Sequence, residues 1–163
     1  MCLWVMMAIA KNLLVTALAV AAQLLVAPLL QIGDIRPDFM LILLVYFSAR
    51  YGRLAGVVVG FTVGLLQDVT GSYSVLGVTA MSKSLVGYVA GTLNGNLSIW
   101  TSRIVNIYIY GSLALHAIVY QLVMVLGLRI ATLELLKRIL TEFGLAALMI
   151  AGLRYMIPLV RSR

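Results

Sequence analysis

The chain has 163 residues, 63% of them hydrophobic and only 10% charged, with a net charge of +7. Water-soluble domains carry about 25% charged residues, so a soluble protein of this length could not hide so much apolar surface. Alternating polarity, the mark of a membrane barrel, is absent, and the basic residues stand singly at helix ends rather than in a nucleic-acid-binding stripe, so no nucleic-acid partner is expected.

What remains is a single helical membrane domain over residues 1–163. Uncharged runs cover Asn12–Gly33, Ser84–Ser102 and Ile104–Leu128, which are 22, 19 and 25 residues long. About 20 residues cross the hydrocarbon core as a helix, the one open-chain structure that satisfies its own backbone there. Six helices are predicted, over about 12–32, 37–51, 53–67, 74–93, 102–128 and 136–159. The first begins after Lys11. It has part of the look of a secretory signal, but its apolar run continues to Ile32, too long for a signal core. An uncleaved helix is expected, kinked near its end by Pro28. Cys2 is the lone cysteine, which excludes an internal disulfide and leaves the redox compartment undetermined.

The second and third helices are short. At 1.5 Å per residue they reach about 21 Å, less than the ~30 Å hydrocarbon core. They are joined by the basic turn Arg50-Tyr51-Gly52-Arg53. Crossing is expected rather than a re-entrant hairpin, which would bury that turn in lipid. With the N-terminus inside, seven basic residues collect on the cytoplasmic side (Lys11, Arg50, Arg53, Arg103, Arg154, Arg161, Arg163) against four outside (Arg36, Arg129, Lys137, Arg138). The positive-inside rule therefore favours cytoplasmic N- and C-termini.

Within this frame the glycines come first. Gly56, Gly60 and Gly64 recur every four residues and share one helix face. Gly87 and Gly91 do the same in the fourth helix. Such faces let another helix approach closely, whether inside the bundle or from a partner. Asp38 follows Pro37 at the start of the second helix, where the dipole favours a carboxylate and capping competes with partner contact. Asp68 ends the third helix, where the dipole disfavours it. It is expected to shape the turn with Gly71 or to pair with Arg36, with direct contact to a partner as the alternative. Lys83 lies about nine residues into the fourth helix, hence ~13 Å deep, and must face the bundle interior or snorkel. Glu142, entering the sixth helix from the same side, is its expected partner. His116 is the lone histidine and reads as an interhelical hydrogen-bonding group, not a metal ligand. No catalytic motif is present, and neither an enzymatic activity nor a cofactor is expected.

The order Pro37-Asp38, apolar run, Arg50-Tyr51-Gly52-Arg53, Gly56, Gly60-Phe61, Gly64-Leu65, Asp68, Gly71, Leu76-Gly77 resembles the bacterial rod shape-determining protein MreD family. The resemblance covers about residues 36–91, and Lys83 departs from its pattern. It implies a non-enzymatic inner-membrane scaffold of the elongasome. Its partner would be MreC, a protein with a single membrane span, and through MreC, indirectly, the transpeptidase–polymerase complex that makes side-wall peptidoglycan. It also implies a fold similar to the six-helix substrate-binding subunits of energy-coupling-factor vitamin transporters. Asp38, Gly60, Gly64, Asp68 and Gly77 carry over as motif positions without assigned roles. Two other classes stand beside this one. One is a vitamin-binding subunit with Tyr73, Lys83, Tyr88 and Glu142 around a pocket. The other is a self-associating structural protein that forms a homodimer.

Overall fold

The computed structural model describes residues 2–31, 36–70, 76–97, 99–128 and 132–156. Six helices make up the described regular structure: α1 (Cys2–Leu25), α2 (Phe39–Tyr51), α3 (Arg53–Thr70), α4 (Val78–Gly91), α5 (Ser102–Leu128) and α6 (Thr132–Met156). Four of them close a ring: α2 packs on α4, α4 on α5, α5 on α6, and α6 returns to α2. Outside this ring α3 lies in the angle between α2 and α4, and α1 covers α2. Leu41, Leu44, Val86, Ala90, Leu93, Val105, Ile109, Leu113, Ala146 and Ile150 fill the centre.

Several boundaries differ from the sequence prediction, each for a local reason. The first helix starts at Cys2, ten residues early, and its α-helical part stops at Leu25. Pro28 has no N–H to give, and the chain instead turns through Leu30, with the Ala27 N–H reaching back to the Ala22 carbonyl at 3.0 Å. Asn12 still donates to the Tyr51 hydroxyl, so the point where the predicted span begins lies level with the basic turn. The third helix is 18 residues long rather than fifteen, or about 27 Å, close to a full span. It and the Ser102–Val123 stretch of α5 are the two described segments long and apolar enough to cross a membrane by length and composition. The turn residues between Thr70 and Leu76, Gly71 among them, lie outside the described residues.

The α2–α3 junction is sharp. The N–H of Gly52 closes α2 on the Ser48 carbonyl at 2.8 Å, and its φ of +90° is open to glycine but strained for other residues. Arg53 can therefore begin α3 at once, and the two helices run antiparallel.

Candidate functional site

The glycine face of α3 is packed against α4. A methyl group on Gly56 would strike the Gly87 carbonyl and come within 2.6 Å of the Ser48 hydroxyl. On Gly60 it would strike the Lys83 carbonyl, and on Gly64 the Ala80 backbone. From the other side, Gly91 sits where a methyl would fall 2.5 Å from Arg53 Cα. Five glycines thus bring two helix backbones into contact over about three turns. Close approach of this kind stabilises helix pairs in lipid by dispersion, since lipid tails are as apolar as leucine and burial alone offers little.

This seam positions a polar centre. Because α3 and α4 touch, Gln67 and Lys83 reach past the seam toward the start of α2. The Lys83 ammonium is fully buried and lies 2.5 Å from Asp38 Oδ2. Gln67 bridges the pair: its amide nitrogen donates to Asp38 Oδ1 at 3.3 Å and its carbonyl oxygen accepts from Lys83. Asp38 also caps α2, accepting from the Leu41 N–H at 3.2 Å. Across the ring, Gln121 of α5 donates to Glu142 Oε2 at 2.7 Å, and His116 Nε2 lies 3.4 Å from Oε1 of the same carboxylate. His116 stacks on Tyr120, and its Nδ1 has no partner among the described residues. The two groups are close enough for Asp38 and Lys83 to act electrostatically on both His116 and Glu142.

The sequence-derived pairings are thereby redrawn. Lys83 pairs with Asp38 and Gln67, not with Glu142. The fourth helix starts at Val78, so Lys83 is its sixth residue, about 9 Å along rather than 13 Å, and nearer the start of α2 than expected. Asp68 does not pair with Arg36, which donates to Gln31 at 2.8 Å. Instead it accepts from the N–H groups of Gly77 (2.8 Å), Thr79 (3.3 Å) and Ala80 (3.2 Å). A carboxylate at the end of one helix thus caps the N-terminus of the next, where the dipole favours it. Gly77 supplies the left-handed turn at φ +95° that aims those groups at Asp68. Pro37 is buried beside Asp38, just before α2.

The residues expected of a vitamin pocket do not converge. Lys83 and Glu142 belong to the polar centre, whereas Tyr88 faces outward about one and a half turns further along α4, beneath Arg53. Tyr73 lies outside the described residues. The described His, Cys, Asp and Glu side chains form no group of three that could hold a metal ion.

Polar groups paired inside, and large apolar side chains exposed outside (Leu54, Val58, Phe61, Ile107, Leu140, Leu148), are the arrangement of a helical membrane protein in which side-chain chemistry serves helix packing. The sequence matches the family of rod shape-determining protein MreD over residues 3–162, and the chain belongs to that family. No curated protein and no solved structure matches it, so the likeness to vitamin-transporter subunits gains no support.

Proposed function

We propose that this chain is a six-span scaffold of the bacterial inner membrane that binds an MreC-type protein with a single membrane span and so helps control side-wall peptidoglycan synthesis. Membership of the shape-determining family over nearly the whole chain carries this reading. The geometry supports a structural part in it: the glycine seam joins α3 to α4, and polar contacts tie α2 to that pair and α5 to α6. The glycine ladder is the bundle-forming face in this reading, and the partner helix meets faces outside the seam. Contact with the peptidoglycan transpeptidase–polymerase pair is indirect, through the partner.

The test is copurification. A tagged chain recovered from the membrane fraction should bring the MreC-type protein with it, and recovery of the chain alone would refute the partner assignment. Topology is read separately, in a Cys2→Ser background. An impermeant maleimide applied to intact spheroplasts should label Gln31→Cys and spare Asn94→Cys. The reverse pattern would put both termini outside.

A further inference from the structure

An open apolar groove of about 480 Å³ runs between α3 and α4 on the side away from the ring, lined by Val57, Phe61, Met81, Ser84, Leu85 and Tyr88 up to Gly77. From Gly77 to Tyr88 it is about 17 Å long, close to half of the ~30 Å hydrocarbon core, the depth of one leaflet. Its apolar lining over that length suits one extended acyl chain of a single leaflet.

The foot of the groove is charged. Arg53 stands one helical turn before Val57 on the same face of α3, and its guanidinium lies 5.5 Å from the centre of the Tyr88 ring. It has no ion pair among the described residues. Of the described carboxylates, Asp38 and Asp68 lie toward the other end of the bundle, with Arg36 and Lys83, and Glu142 lies near the middle of α6, whereas Arg50, Arg53 and Arg103 gather at this end. An anion at the foot of the groove therefore meets uncompensated positive charge, which basic positions beside membrane helices present to anionic headgroups.

We propose that the α3–α4 groove is a binding site for one anionic phospholipid, its phosphate on Arg53 and one acyl chain along Val57, Phe61, Met81 and Leu85. The proposal rests on the chain spanning the bilayer, but not on its orientation or its protein partner.

Recovery of the chain in carbonate-washed membranes tests the membrane reading by itself. The lipid site is then tested by native mass spectrometry of the detergent-purified full chain, titrated with phosphatidylglycerol or with phosphatidylcholine. One phosphatidylglycerol should be retained about fivefold more tightly, the worth of one arginine near an anionic surface. Arg53→Gln should remove the preference. Arg103→Gln, at the same end but off the groove, should keep it. Leu85→Trp, which fills the groove, should lower retention of both lipids, and this keeps the proposal testable if the Arg53 variant does not fold. Equal retention of the two lipids by the unsubstituted chain would overturn the proposal. So would equal losses in the two arginine variants, or crosslinking of the Leu85→Cys variant to a partner protein rather than to a lipid photoprobe.

Discussion

The ammonium of Lys83 lies 2.5 Å from Asp38 Oδ2, joining the middle of the bundle to the first turn of α2. Lysine inside a membrane helix is costly unless it is paired, and here the pair is completed by Gln67, which donates to one member and accepts from the other.

Removing one member of this pair should do more harm than removing both. Lys83→Met strands a carboxylate, and Asp38→Asn strands a fully buried ammonium while keeping the cap on Leu41. Each single change should cost about 3 kcal/mol, and the double variant should recover much of that loss. Thermal unfolding in detergent and accumulation in membranes both report it. Strictly additive losses would mean that the two charges do not stabilise each other.

The glycine seam makes a position-specific prediction. Gly60→Ala places a methyl against the Lys83 carbonyl, where backbone must move, and should cost about 1–3 kcal/mol. In Gly111→Ala the methyl enters open space on α5, and the change should be neutral or stabilising by up to about 1 kcal/mol. Equal melting temperatures for the two variants would show that the seam is looser than described.

These two features differ in how plainly the sequence carries them. The ladder was legible because a spacing of four is a property of one helix, and both Gly56–Gly64 and Gly87–Gly91 display it. The Lys83–Asp38 pair was not, because it depends on where α4 begins. Glycine at position 77, with Asp68 available nine residues earlier as a cap, delays that start to Val78. The apolar pattern runs smoothly through the boundary and gives no sign of it. The membership of Gln67 was hidden for a related reason: a neutral amide shows its role only once the groups on either side are known. The ten residues of α1 before Asn12 are not legible because Lys11 marks a membrane edge, and a helix can run past that edge without any change in its pattern.

The cap itself can be tested. Asp68→Ala removes the acceptor of three N–H groups at the start of α4 and should cost about 1–2 kcal/mol. Asp68→Asn keeps one acceptor oxygen and should fall between. The loss should appear first as faster amide exchange at Thr79 and Ala80. Unchanged exchange there in the alanine variant would remove Asp68 from the cap.

The last prediction ranks the partners of Glu142. Its carboxylate accepts from Gln121 on the neighbouring helix, a contact between α5 and α6 that a double-mutant cycle can isolate. Interhelical hydrogen bonds in membrane proteins couple by about 0.6 kcal/mol on average and up to about 1.7. The cycle of Gln121→Leu with Glu142→Leu should fall in that range. A cycle between Lys83→Met and Glu142→Leu should give less than the cycle between Lys83→Met and Asp38→Asn, since charge acts across the centre without direct contact in the first and through a 2.5 Å contact in the second. Were the Lys83–Glu142 coupling the larger, α6 would have to move toward α4, and the ring would close around a different ion pair.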